Sequence, residues 1–377
     1  MNISNDIINI ILNKLFAEDI FNLKLLNNQF NNFIKNDFIL INYYVKKRKM
    51  INKHIITKYG TNLNTIISGY GEEITNQDLI NLKNLKTLIL PSNKNITDIG
   101  LKYIPNIKEL SLFSNENITN NGLKYISNVK KLIFVKNKNI TDEGLKYISN
   151  IKKLNLLFNK NITNEGLKYI SNVKKLFINN GETITDDGLK YIPNIKELKI
   201  FNGKDITNEG LKYISHIKKL TMLLNTNITD EGLKYISDIE LLHLYKNTNI
   251  TDGGLKYIPH IKTLSLYSDI NISNEGLKYI PHVETLSLYS NINISDEGLK
   301  YIPHIKTLSL HSNINITDEG LKYIPNVSIL RLSNNYNITS HGINCIQNIR
   351  SFTTGNFDNK KSKKKILRKK LTCRKIE

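Results

Sequence analysis

Over most of the chain, apolar positions switch between two spacings. Leu110 and Leu112 flank Ser111, the alternation of a strand with one buried face. Leu123 and Ile126 then sit three apart, as on the inner face of a helical turn. Between them come Asn115, Ile118 and Thr119. Thr119 suits an N-cap, because its hydroxyl can accept a bond from a free backbone N–H. In most coils Asp and Glu follow, favourably placed at a helix start; here they are Asn120 and Asn121. Ser127 ends the turn. Six coils carry proline there instead: Pro105, Pro193, Pro259, Pro281, Pro303 and Pro325. Proline prevents the helix from continuing. Asn128 suits a left-handed turn residue before the next strand.

This unit repeats. From Gly100 to Gly342 a glycine falls every 22 residues, which accounts for 12 of the chain's 19 glycines. A fixed period of this length is the signature of a solenoid. Each coil supplies one strand and one short helical segment. Neither buries its apolar face alone, so the coils must stack and the strands run parallel. Ile74, Thr75 and Leu79 match an earlier coil, with Asp78 in place of glycine. Thr65–Ile67 can supply a first strand and Ser351–Thr353 a last, giving 14 strands in all.

The unit L-x-L-x-x-N-x-x-I-T-D-E-G-L resembles a leucine-rich repeat. It is most similar to the cysteine-containing subtype, with Asn115 and its equivalents where that subtype has Cys. Each coil is shorter by about four residues, all after Gly-Leu, which implies a shorter convex helix. The resemblance covers residues 64–355. It implies an α/β fold, a leucine-rich repeat solenoid shaped as a horseshoe, with a parallel sheet on the concave face.

Residues 1–42 do not follow the period. Ser4 can cap a helix carrying Ile7, Ile8, Ile11, Leu12 and Leu15, and Asp19 a second with Ile20, Leu23 and Leu26. Phe30, Phe33 and Ile34 mark a third. So small a unit rarely supports its own core, and its surplus of apolar faces suggests a covering partner. The order resembles an F-box, whose pattern aligns without gaps on Ile3-Ser4-Asn5-Asp6-Ile7-Ile8, Ile11-Leu12, Leu15, Asp19-Ile20, Leu23, Leu26-Asn27 and Phe30. Ser4, Asn27 and Phe30 replace the family's Pro, Cys and Trp. The resemblance implies that Ile3, Ser4, Ile7, Ile8, Leu12, Leu15, Ile20, Leu23, Leu26 and Phe30 bind a Skp1-type adaptor of a cullin ubiquitin ligase. The repeats would then hold a target protein. Residues 43–63, basic through Lys46, Lys47, Arg48 and Lys49, form a linker, and 356–377 a basic tail.

On each strand the side chains between the buried leucines face outward. One such column runs Phe113, Val135, Leu157, Asn179, Phe201, Leu223, Tyr245, Tyr267, Tyr289, His311. It is unusually apolar and aromatic, and aromatic residues are preferred interface anchors. These residues, Asn179 apart, are the candidate target-binding set. The neighbouring column holds Lys131, Lys153, Lys175 and Lys219 with Glu109 and Glu197, then Thr263, Thr285 and Thr307. Its first half would suit an acidic ligand.

Other periodic residues read as structural. His260, His282 and His304 share a column with Asn106, Asn128, Asn150, His216 and Asp238, which marks a turn tolerant of polar residues rather than a metal site. The Lys-Tyr pairs from Lys102-Tyr103 to Lys322-Tyr323 read as a stacked tyrosine ladder with solvated lysines. A basic aromatic surface for RNA would look similar, but acidic neighbours weaken that reading. The Asn-Ile-Thr/Ser sequons follow from the repeat's own needs for a turn residue, a buried Ile and an N-cap.

The formal charge of +20 first suggests a polyanion partner. Its distribution narrows that. Residues 360–377 hold ten basic residues and one acidic, and residues 1–70 hold nine and four, which leaves only +6 for the rest. Nucleic acid is expected at most through the tail. The bias to Asn, Ile and Lys fits AT-rich coding DNA, as in some protists and large DNA viruses. Two cysteines exclude a disulfide scaffold. With no signal peptide and no apolar run of membrane length, an intracellular compartment is expected, cytoplasmic or nuclear. No nucleophile–base pair, phosphate loop or paired carboxylates stand outside the repeat. The expectation is no enzyme, no cofactor, no metal and no obligate homo-oligomer. A plain interaction scaffold, its N-terminal helices serving only as a cap, is the rival to the ligase subunit.

Overall fold

The computed structural model describes residues 63–67, 74–90, 93–112, 115–179, 183–201, 203–245, 249–267, 272–288, 293–311 and 313–354. The F-box-like helices, all of the linker but residue 63, and the tail lie outside the described residues. The chain divides into two compact units, residues 1–179 and 180–377.

In the first unit the strands are β1 (Thr65–Ile67), β2 (Thr87–Ile89), β3 (Glu109–Ser111), β4 (Lys131–Ile133), β5 (Lys153–Leu156) and β6 (Lys175–Asn179). They pair in parallel in chain order, each residue opposite the one 22 positions on: Leu88 with Leu110, Leu110 with Leu132, Leu132 with Leu154, Leu154 with Leu176. In the second unit β7 (Glu197–Phe201), β8 (Lys219–Leu223), β9 (Leu241–Tyr245), β10 (Thr263–Tyr267), β11 (Thr285–Leu288), β12 (Thr307–His311), β13 (Ile329–Ser333) and β14 (Ser351–Thr354) follow the same rule. One coil buries Leu110, Leu112, Ile118, Leu123, Ile126 and Val129 completely. Each such side chain contributes on the order of 1.5–3 kcal/mol, which a single coil could not collect alone.

The helical segment is one turn, Asn120–Leu123 in the coil above, opened by an extended Thr119 whose hydroxyl accepts the Asn121 N–H. Its extension varies with the residue that follows. Before Ser127, Ser149, Ser171 and Ser237 a 3-10 turn continues it, Lys124–Ile126, Lys146–Ile148, Lys168–Ile170 and Lys234–Ile236, and before Ser215 the α-turn itself runs one residue longer, Asn208–Lys212. Proline bars the preceding residue from the helical region, and its coils stop earlier.

The acidic residue after Thr has a different task from the dipole role expected of it. Asp98 Oδ1 accepts the Thr119 N–H of the next coil at 2.8 Å, and its Oδ2 accepts the Thr119 hydroxyl at 2.6 Å. Asp142 grips Thr163 in the same way, and Asp186 grips Thr207. Asparagine substitutes: Asn120 accepts the Thr141 N–H and donates to its hydroxyl. The reaching carboxylate explains the glycine period. A Cβ on Gly122 would lie 2.3 Å from Asp98 Oδ1.

Asparagines form a second, buried ladder. Asn137 donates to the carbonyls of Asn115 and Ile118, and its Oδ1 accepts the N–H groups of Asn139 and Ile140. Polar side chains thus satisfy backbone groups the turn leaves unpaired.

Candidate functional site

Three outward columns stand on the sheet, not two. On β9 they are Leu241, His243 and Tyr245, all half-buried, between the inward Leu242 and Leu244. Sequence reasoning passed over the middle column. It carries Ile89, Ile133 and Phe177 in the first unit and Lys199, Thr221, His243 and Arg331 in the second. Strand alternation alone would have found it.

In the second unit Phe201, Leu223 and Tyr245 sit side by side in register on neighbouring strands, each half-buried. Beside them Leu224 is 43% exposed and holds a left-handed backbone, φ 59. In the first unit Leu157 is half-buried, and Phe158 is 52% exposed at φ 64. A bulky residue in that region is strained, which singles out both positions. Phe158 and Leu224 were also missed in sequence; the available signal was an apolar residue just before the buried asparagine.

Val135, expected on this row, is buried at 7%. β4 ends at Ile133 and Phe134 turns fully inward; the left-handed turn that follows at Lys136, φ 63, is the one also made at Phe158 and Leu224, where Leu157 and Leu223 stay half-buried. Phe113 and Tyr289 lie outside the described residues, as do the F-box positions Ile3, Ser4, Ile7, Ile8, Leu12, Leu15, Ile20, Leu23, Leu26 and Phe30. Tyr267 and His311 end β10 and β12, and Asn179 ends β6.

The electrostatics of the face are local. Lys131 pairs with Glu109 on the neighbouring strand. Lys153 Nζ lies 5.5 Å from the Phe177 ring centre. Burial pushes the His243 imidazole below its ordinary 6.5, and the Lys199 charge adds to this.

On the helical side the lysines are not simply solvated, as the sequence had suggested. Lys146 Nζ bonds Glu143 at 2.6 Å and lies 5.2 Å from the Tyr169 ring of the next coil. The same trio recurs at Lys212 with Glu209 and Tyr235, and at Lys300 with Glu297 and Tyr323. The Glu143 hydrogen bond raises the Lys146 pKa above its ordinary value. Charge and ring are already engaged, which leaves little for a nucleic acid to use.

His260, His282 and His304 line an open groove of about 1000 Å³ with Lys262, Lys306 and Arg350. Among the described residues no group of three or more His, Cys, Asp or Glu gathers closely enough to hold a metal ion. Nor is any helix among them long and apolar enough to cross a membrane. The sequon asparagines tie coils together: Asn117 donates to the Lys94 carbonyl at 2.6 Å, and Asn139 to that of Glu116.

A family model described as leucine-rich repeat matches residues 103–127, 125–149, 147–171 and 301–324. No curated protein matches the chain significantly. Among solved structures, an internalin of Listeria monocytogenes is similar, with 20% identity, TM-score 0.54, and coverage of 74% of this chain and 82% of that one. The yeast complex of Rad7 and Elc1 provides another, with 15% identity, TM-score 0.55, and coverage of 90% and 95%. The chain therefore carries leucine-rich repeats, and its described residues have the solenoid fold of that architecture.

Proposed function

We propose that this protein is a non-catalytic recognition subunit: the outward face of its repeats binds a target protein, and its N-terminal residues bind an adaptor. The observation that carries the binding reading is the row Phe201, Leu223 and Tyr245, held in register on a hydrogen-bonded sheet with its rings and side chains half open to solvent. Pre-ordered aromatic anchors bind without the entropy cost of ordering a loop. The ligase role rests on the F-box resemblance of residues 3–30, which names a Skp1-type adaptor and a cullin assembly. One structural neighbour, Rad7, is bound to a second protein, Elc1, which is consistent with such a pairing. The subunit's contribution would be to raise the target's effective concentration near the ligase.

The test separates the two ends. Full-length protein is mixed with a purified Skp1-type adaptor and the complex is measured by size exclusion and titration. The expected result is binding that Ile8→Asp abolishes and that Phe201→Ser with Tyr245→Ser leaves intact. Proximity labelling in cells should show the reverse dependence for the target. No adaptor binding by the wild type, or binding indifferent to Ile8→Asp, would reduce the protein to a plain interaction scaffold.

A further inference from the structure

The residue just before each strand forms a column whose backbone is directly bonded coil to coil. In the first unit it is Asn64 before β1 and lysine before each of the five strands that follow. The Lys108 N–H donates to the Lys86 carbonyl, Lys130 to Lys108, Lys152 to Lys130 and Lys174 to Lys152, at 2.7–2.9 Å. The side chains of Lys86, Lys108, Lys130 and Lys152 are exposed, and that of Lys174 is half-buried. Strand spacing sets them about 4.8 Å apart in one line. Lys131, Lys153 and Lys175 stand next to them on β4, β5 and β6. Only Glu109 opposes this array on those columns, and it is paired with Lys131.

The fold does not require lysine here. The same column in the second unit holds Glu240, Glu284 and Ser328 on the same backbone ladder. There Lys196 and Lys218 come first, the signs then alternate through Glu240, Lys262, Glu284 and Lys306, and Glu284 bonds Lys306 at 2.6 Å. Like charges on adjacent strands repel. A row of five lysines where glutamate also fits is an arrangement that a bound anion would relieve.

We infer that this lysine ledge of the first unit is the docking line for an extended acidic segment of a partner protein, one in which apolar side chains interrupt the acids. The acidic groups meet the lysine column. The apolar side chains meet Ile89, Ile133 and Phe177, which stand three residues beyond Lys86, Lys130 and Lys174, on β2, β4 and β6, and are half-buried. A single-stranded nucleic acid would need successive stacking planes. Of the middle column's six first-unit residues, Ile67, Ile89, Ser111, Ile133, Asn155 and Phe177, one is aromatic. The inference rests on the protein-binding reading and names the chemistry of the partner.

The probe is a labelled synthetic peptide of about twelve residues, mostly glutamate with two leucines, set against an oligothymidine of equal charge, both titrated into the full chain by fluorescence anisotropy. Lys108→Glu/Lys130→Glu/Lys152→Glu is compared with a charge-matched control on the helical side, Lys146→Glu/Lys212→Glu/Lys300→Glu. The tail is present in both. The ledge variant should fold, because glutamate already occupies this column at Glu240 and Glu284; circular dichroism melting verifies that. Expected are a loss of tenfold or more in peptide affinity for the ledge variant, a change under threefold for the control, and weakening as salt rises. Equal losses in both variants, or none in the ledge variant, would overturn the proposal. Tighter binding of the oligothymidine, lost with the same lysines, would replace it with a nucleic-acid site. A failed adaptor titration would leave this result readable, since the two assays share no residue.

Discussion

The two units are built on one lattice and finished differently. In both, the residue before each strand hangs from the same backbone ladder, and the same asparagine fills the buried turn. In the first unit that residue is lysine from Lys86 to Lys174. In the second the order is Lys196, Lys218, Glu240, Lys262, Glu284, Lys306, so acids interrupt the lysines from Glu240 on, with a direct ion pair between the last two. The difference teaches that the lattice dictates where a side chain stands and leaves its charge free. Surface chemistry in such an array varies with almost no effect on the fold, so a uniform column carries more information than a uniform core.

The largest expected effect tests whether the lattice is shared. Asn137→Ala in the first unit strips two carbonyls and two N–H groups of their partners; Asn225→Ala does the same in the second. Each should cost on the order of 3 kcal/mol in urea unfolding, since buried groups are left unpaired. Markedly unequal losses would break the equivalence of the units. Next come the strained positions. Phe158→Gly and Leu224→Gly should each raise stability by about 0.5–1 kcal/mol by relieving the left-handed backbone, measured as a rise in Tm. If Phe158 or Leu224 instead anchors a partner, the same variant weakens that partner's binding while the fold gains.

Two smaller effects sharpen the contrast. Glu284→Lys gives the second unit the pattern of the first. It should cost about 0.5 kcal/mol, the value of a surface pair, and raise affinity for the acidic peptide two- to threefold in anisotropy. The smallest is pH dependence. His243 titrates below its ordinary 6.5 in the fold, because burial and Lys199 disfavour its charged form. As pH falls below 6.5 the unfolded chain takes up a proton that the fold resists, so the second unit loses stability until its own lower pKa is passed. The corresponding residues of the first unit, Ile133, Asn155 and Phe177, do not titrate. Hydrogen exchange should therefore show acid sensitivity centred on β9 that His243→Gln removes; equal sensitivity in both units would contradict this.

Much of the fold was legible because periodicity is a property of the chain itself. Leu110, Leu112, Ile118, Leu123 and Ile126 declared their burial by spacing, and Thr119 its cap by chemistry. What spacing could not show was contact between coils. Asp98 looked like a helix-start residue, and only stacking reveals that it holds Thr119 beyond Gly122. The candidate surface was half legible. Strand alternation located the row of Phe201, Leu223 and Tyr245. It did not foresee that β4 would end at Ile133 with Val135 buried, since Leu157 and Leu223, at the same place in their coils and before the same turn, stay half-buried. The lysine ledge was visible in part as Lys131, Lys153 and Lys175. Its stronger column, one residue earlier, emerged from the ladder of backbone bonds.

The grip of each acidic or amide side chain on the threonine of the following coil has a consequence for the history of such a chain. Each clasp needs only two consecutive coils, so inserting or deleting a whole 22-residue segment leaves every surviving clasp intact. A frame shifted by even one residue leaves none. Growth by duplication is therefore permitted only in whole steps, and each new step arrives with its outward side chains free to diverge. The near-identical coils from residue 259 to 312 have the look of such steps not yet differentiated.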